Sequence, residues 1–167
     1  MLDLDFAGVT FINIGSAFPV VIYSCTCNTA PVMTYLPVIT VLNVGAFVLR
    51  IMGQIKNSPP VYGAIGVMSL APVAHILFVE NYFDNFEDPF RFTPLLGTFL
   101  LSGFFLLGGL AMMIFECPER KAPGTFDYCG AGHQIWHVGS VIGMAIQLGV
   151  IWEMYHLRRL SPCPAGL

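Results

Sequence analysis

The sequence predicts an all-α fold, a polytopic bundle of transmembrane helices, from its composition and from the grouping of its apolar residues. Hydrophobic residues make up 56% of the 167 residues and charged residues only 10%, whereas about a quarter of the residues in a typical soluble domain are charged. The mean hydropathy is +0.73. Because the apolar residues form blocks of about 20, the length that crosses a bilayer as a helix, we expect an integral, multi-pass membrane protein.

Five apolar blocks are separated by short polar connections. A helix satisfies its backbone hydrogen bonds internally, so each block is predicted to span the membrane as a helix. No linker or charge run divides the blocks, and residues 1–167 are expected to form a single transmembrane domain. Small residues in the fourth block are expected to let helices approach closely. The blocks run from about Leu4 to Ile22, Val32 to Met52, Val61 to Val79, Thr93 to Phe115 and His133 to Tyr155.

The charges bear on partners and on orientation. The net charge of −3 says little, because the charges are confined to short connections, but no basic run suggests nucleic acid. Membrane lipids are the expected partners. The connections after the second and fourth blocks hold more basic residues than those on the opposite side. By the positive-inside rule, this predicts a cytoplasmic N-terminus and an external C-terminus. The first group is Arg50, Lys56, Arg120 and Lys121, and the second is Arg91, Arg158 and Arg159.

The strongest chemical signal is the pair His133 and His137, which opens the fifth block. Residues four apart lie on one helical face, one turn apart, so both imidazoles could bind one metal ion. An ionisable residue inside a membrane is costly and marks a functional site by default. Together with Trp136 the pair also suits an aromatic belt at the membrane interface, so the spacing leaves both interpretations open.

Asp5 is the acidic residue that helix direction brings to the same membrane face. If five blocks span, the first and fifth helices run in parallel, and Asp5 starts at a depth similar to that of His133 and His137. A carboxylate and two imidazoles could bind zinc or activate its water, but Asp5 also suits a helix N-terminus that faces the head groups. Glu119 and Asp127, in the preceding connection, are candidates to hydrogen-bond the ligands.

Depth excludes two other histidines from this site. His75 follows Pro72 and lies about 14 residues into the third helix, roughly 20 Å from its start. We expect it to be a buried histidine that is hydrogen-bonded across helices. His156, far along the fifth helix, fails for the same reason. Two histidines and one carboxylate remain, whereas a zinc site usually has three protein ligands and a water.

The cysteines give weaker signals. Their number is five, which is odd, and Cys25 with Cys27 forms an isolated C-x-C that is weak evidence for zinc or redox chemistry. Cys129 lies four residues before His133, but Gly130 makes a helix that would place both on one face doubtful. We expect most of the cysteines to be unpaired thiols.

Several motifs resemble the progestin and adipoQ receptor family, and the adiponectin receptors most of all. The specific one begins at Pro118-Glu119-Arg120 and continues through Pro123-Gly124 and Phe126-Asp127 to Gly132-His133-Gln134-Ile135-Trp136-His137-Val138. It is similar to the last loop and last helix of that family. Leu4 to Gly8 resembles the start of its third helix, and Pro72 with His75 resembles a motif of its fifth. The likeness covers the whole chain, as helices three to seven of a seven-helix fold.

The resemblance implies a zinc site near the cytoplasmic face, with His133 and His137 as ligands and Asp5 as the residue that orients or deprotonates water. The family's third histidine and an associated serine lie on its second helix, which has no counterpart here. The chain is therefore expected to be a partial sequence or a shortened variant.

The function that the resemblance implies is a receptor-like membrane protein in signalling or lipid metabolism, with a lipid, steroid or protein as its ligand. Two alternatives stay open. One is a zinc-dependent ceramide amidohydrolase, and the other is a non-catalytic membrane protein whose zinc site is structural or incomplete.

Overall fold

The computed structural model describes residues 2–24, 29–78, 89–126 and 128–160. Within these ranges the secondary structure consists of helices and turns, which confirms the all-α class. Four of the helices, α1, α2, α5 and α6, are long and apolar enough to cross a membrane. The helices are α1 (Leu2–Ser24), α2 (Thr29–Ile51), α3 (Ser58–Met68), α4 (Ala71–Phe78), α5 (Pro89–Ile114) and α6 (Gly132–Leu160).

The third apolar block differs from the prediction of one continuous helix. It is divided into α3 and α4, and each of these is too short to cross a bilayer alone. Pro72 explains the break, because its ring removes a backbone donor and would clash with the carbonyl of Met68, four residues earlier. The N–H of Leu70 instead donates to the Val67 carbonyl at 3.0 Å, which tightens the last turn of α3.

The chain divides into two compact units, which we call the first and second unit. The first comprises Met1–Pro89 and Ile151–Leu167, and the second comprises Phe90–Val150. Since α6 runs from Gly132 to Leu160, it contributes to both. In the first unit, α1 and α2 bury a cluster of Ala17, Val21 and Ile39, and the Asn13 side chain donates to the Asn43 side chain at 3.2 Å.

Arg50 joins three helices of the first unit. Its Nε lies 3.2 Å from Asp3 Oδ1 on α1, and its guanidinium carbon lies 4.0 Å from the centre of the Phe6 ring. Its Nη1 donates to the hydroxyl of the buried Ser58 on α3. The Arg50 side chain is only 12% exposed. These contacts fix the first turns of α1, the helix that carries Asp5.

In the second unit, α5 and α6 approach each other at backbone distance. A Cβ placed on Gly139 would lie 2.8 Å from the Phe105 carbonyl oxygen, and one on Gly143 would lie 3.0 Å from that of Ser102. The buried Ser102 hydroxyl donates to the Gly143 carbonyl at 2.8 Å. In lipid, such close packing and interhelical hydrogen bonds hold helices together.

The small residues of α5 contribute unequally to this packing. Ser102 contacts α6, and a Cβ on Gly109 would lie 3.1 Å from the Trp136 Cα. For three other glycines of the helix, an added Cβ would meet no atom within 4 Å. The prediction that these small residues let helices approach closely is thus confirmed at two positions. The three glycines with open space around them are Gly97, Gly103 and Gly108.

Candidate metal centre

His133 and His137 lie on adjacent turns at the start of α6. Their ring centres are 4.7 Å apart and their planes are inclined by 55°. A nitrogen of one ring lies within 4.8 Å of a nitrogen of the other. Zinc–nitrogen bonds of about 2.0–2.1 Å would hold two tetrahedral nitrogens roughly 3.4 Å apart. A modest rotation of the half-buried His133 and the exposed His137 therefore suffices to place both on one ion.

Trp136 fixes the rotation of α6 about its own axis. It is 6% exposed, and its backbone rests on Gly109 of α5. Together with Gly139 it marks the side of α6 that meets α5. At about 100° per residue, His133 and His137 lie roughly 110° around the helix from that side. The two imidazoles therefore share a face beside the α5 interface, and the buried Trp136 does not serve as the exposed anchor of an aromatic belt.

Three side-chain hydrogen bonds hold the first turn of α6. Glu119 Oε2 accepts from the Gly132 N–H at 2.7 Å. Gln134 Oε1 accepts from the Gly130 N–H at 2.6 Å, and Gln134 Nε2 donates to the Tyr128 carbonyl at 3.3 Å. The first N–H groups of a helix lack partners within it, and a carboxylate is favoured at that end by the helix dipole. The backbone that carries the histidines is thus held at its first residue.

Glu119 has a clear role that the sequence did not indicate, since it binds a backbone N–H. Its predicted hydrogen bond to a metal ligand stays a prediction. Cys129 is exposed and precedes α6. The φ of +86° at Gly130 turns the chain between Cys129 and the first residue of α6. Cys129 therefore does not share the helical face of the histidines. The other predictions for this region and for the cysteines fall on residues outside the described ranges, namely Asp127, Cys25, Cys27 and Cys163.

Asp5, His75 and His156 lie on α1, α4 and α6, respectively. Asp5 is half-buried in the first turn of α1, in the first unit. His75, on α4, lies with its Nδ1 3.2 Å from the Tyr35 hydroxyl, which confirms the predicted bond across helices, although the ring is half-buried rather than buried. His156 lies near the far end of α6, roughly 28 Å along the axis from His137. Its ring is 4.7 Å from that of Trp152.

Known proteins resemble this chain over nearly all of its length. The profile of a family described as haemolysin-III related matches residues 1–148. Progestin and adipoQ receptor-like protein 1 of Caenorhabditis elegans is 28% identical over 168 residues, which cover 96% of this chain and 37% of that protein. Heptahelical transmembrane protein 1 of Arabidopsis thaliana is 32% identical over 151 residues, 86% of this chain and 43% of its own length. The adiponectin receptor protein of Drosophila melanogaster is 27% identical over 163 residues, 93% of this chain and 35% of its own length. The chain thus spans less than half the length of these relatives.

Proposed function

This chain belongs to the haemolysin III-related family, and from that premise we propose that it forms the histidine-bearing part of a receptor-like membrane protein with a zinc site. The four helices of spanning length among the described residues, together with its membrane-protein relatives, make it an integral, multi-pass membrane protein. The receptor proposal is supported by the names of the worm and fly relatives. We propose a role in signalling on the same basis, and the alternative of a role in lipid metabolism from the resemblance of the sequence motifs.

The observation that carries the zinc proposal is the pair of imidazoles on one face of α6. Imidazole nitrogen is a common zinc ligand, and the ring centres of His133 and His137 lie 4.7 Å apart. The pair fits two of the three protein ligands that zinc usually takes. The third is proposed to be the family's further histidine, in a part of the relatives that this chain does not span. The charge of the connections favours a site towards the cytoplasmic face.

The residues around the pair would keep it in place for a metal. Glu119 and Gln134 hold the first turn of α6, and Trp136 fixes its rotation against α5. A bound zinc would supply Lewis acidity and would lower the pKa of water to about 7. We propose, from helix direction in the sequence and from the family resemblance, that Asp5 orients that water or takes its proton.

The first experiment measures metal content in the whole protein that contains this chain. After purification without added metal, plasma mass spectrometry is expected to find about one zinc per molecule, the content of a single site. His133→Ala and His137→Ala should each remove most of the zinc, because two ligands would then remain. His156→Ala is the matched control on the same helix and should retain it. Wild-type protein without zinc would contradict every zinc role proposed here.

A zinc-dependent amidohydrolase acting on ceramide-like lipids is the second candidate, and the half-buried carboxylate of Asp5 favours it. A zinc that only braces helices needs no base, whereas hydrolysis does. Asp5→Asn should therefore abolish ceramide turnover while zinc content stays. If His137→Ala leaves turnover unchanged, the catalytic role is wrong. If His137→Ala removes zinc but leaves the thermal unfolding temperature unchanged, the bracing role is wrong.

A further inference from the structure

An open groove lies in the second unit, where α5 ends and the connection to α6 begins. Its volume is about 540 Å³. The wall formed by the end of α5 and the residue after it is apolar, and two of its side chains are well exposed, Met112 at 41% and Phe115 at 65%. The wall from the connection carries two positive charges. The lining residues are Ala111, Met112, Phe115, Cys117, Arg120 and Lys121.

This groove lies at the boundary between a membrane span and its polar connection. The candidate span of α5 ends at Ile114, directly before Phe115. The apolar wall therefore belongs to the last turn of the span and the residue after it. Arg120 and Lys121 follow within a few residues. An aromatic side chain next to basic ones is the arrangement found where a helix leaves the hydrocarbon for the head groups.

Hydrogen bonds in the connection fix the basic residues at the groove. The Arg120 N–H donates to the Glu116 carbonyl at 2.8 Å, and the Lys121 N–H donates to the Pro118 carbonyl at 2.9 Å. Glu119, the acidic residue next to them, directs its carboxylate to the Gly132 N–H. Among the residues with described positions, neither Arg120 nor Lys121 forms an ion pair. The two charges thus face the groove side of the connection without a described acidic partner.

We propose that this groove binds an anionic glycerophospholipid. Its phosphate would lie between Arg120 and Lys121, and one acyl chain would follow Met112 and Phe115 along α5. The charges select an anionic head group over a zwitterionic one, and the apolar wall selects a lipid over a free phosphate. A cavity of this size suits a head group and the start of a chain, and the exposed α5 face would continue the contact within the bilayer. The cytoplasmic leaflet, which the charge of the connections predicts for this end, holds the anionic lipids.

The test titrates the whole purified protein in detergent micelles with phosphatidylserine or phosphatidylcholine and counts bound lipid by native mass spectrometry. The double variant Arg120→Gln/Lys121→Gln should weaken phosphatidylserine binding roughly 30-fold, the effect of two basic residues near a membrane surface. Phosphatidylcholine binding should change little. The control Lys56→Gln/Arg159→Gln removes the same charge at two other exposed positions and should change phosphatidylserine binding by less than about 3-fold.

A conservative variant and a cross-link make the outcome independent of folding defects. Arg120→Lys/Lys121→Arg keeps both charges and should bind phosphatidylserine as the wild type does. Phosphatidylserine with a photoreactive group in its acyl chain should label Met112 and Phe115 in the wild-type protein. The proposal is overturned if the neutral variant binds phosphatidylserine normally, if the control loses as much affinity, if inorganic phosphate competes at equal concentration, or if the label maps elsewhere.

Discussion

Gly132→Ala is expected to destabilise the protein, because Gly132 is the point where the start of α6 meets the end of α5. An added Cβ would lie 2.5 Å from the Met112 carbonyl oxygen and 3.0 Å from that of Cys117. A carbon and an oxygen in ordinary contact are at least about 3.3 Å apart, so the helix start would have to move by roughly 0.8 Å. Both obstacles are backbone atoms, which cannot move aside as a side chain would.

The expected loss of stability in Gly132→Ala is the difference between two opposing effects. Overpacking of this kind costs about 1–3 kcal/mol, while alanine gains up to about 1 kcal/mol over glycine in a helix. Because the gain applies to a helix interior and Gly132 is the first residue of α6, little of it is expected here, and the net loss in the free energy of unfolding should be roughly 1–2 kcal/mol. Gly149→Ala is the matched control on the same helix, since a Cβ there meets no atom within 4 Å, and it should be neutral or stabilising by up to about 1 kcal/mol.

Thermal unfolding of the whole protein in detergent distinguishes the two variants by the sign of the change. Gly132→Ala should lower the midpoint and Gly149→Ala should not. Since His133 follows Gly132 directly, the first variant should also bind zinc more weakly. If Gly132→Ala proves as stable as the wild type, the end of α5 and the start of α6 do not approach as closely as the structure has them.

Two further substitutions test contacts that hold the start of α1 and the start of α6. Arg50→Gln should lower the free energy of unfolding by about 1–3 kcal/mol, because it removes a charged hydrogen bond to Ser58. Asp3→Asn changes a side chain that is 71% exposed and should cost less than about 1 kcal/mol. Equal losses of stability in thermal unfolding would contradict the buried role of the guanidinium. Glu119→Gln should destabilise the start of α6 by about 1.4 kcal/mol and so speed amide hydrogen exchange over residues 130–135 about tenfold. The control is Glu153→Gln, at an exposed residue of the same helix. An unchanged exchange rate in Glu119→Gln, or an equal effect of the control, would refute the role of Glu119 at the helix start.

The long helices could be predicted from sequence because span length is a local property of the apolar blocks. The bounds of α1, α2, α5 and α6 lie within a few residues of the predicted ones. The structure of the third block was harder to predict, since Pro72 is compatible either with a bent helix or with a break between two helices. Whether Pro72 bends or ends the helix depends on how the turn before it closes, here through Leu70 and Val67.

The candidate site was only partly predictable, because its support comes from other helices. The spacing of His133 and His137 is visible in the sequence, and the structure keeps them on one face. Trp136 is buried and its backbone lies against Gly109 of another helix. No local pattern predicts this, so the sequence alone is also compatible with a tryptophan in a membrane belt. Glycine spacing likewise does not tell which face of α5 meets α6.

Of the two side chains that hold the first turn of α6, one could have been predicted from the sequence and the other could not. Gln134 stands at the third position of the helix, where glutamine often reaches back to cap the N-terminus, so its role could have been inferred. Glu119 lies too far back in the sequence for any local pattern to pair it with Gly132. Its position in the connection that precedes the histidines, on the same predicted side of the membrane, instead suggested a partner for the metal ligands.

The measurement that tests the central claim most directly is X-ray absorption at the zinc edge of the whole purified protein. We predict nitrogen neighbours at about 2.0–2.1 Å with the scattering of at least two imidazole rings, and a loss of about one ring in His133→Ala. A spectrum without imidazole, or one dominated by sulfur at about 2.3 Å, would show that zinc binds at the cysteines or elsewhere and that the pair on α6 is not a metal site.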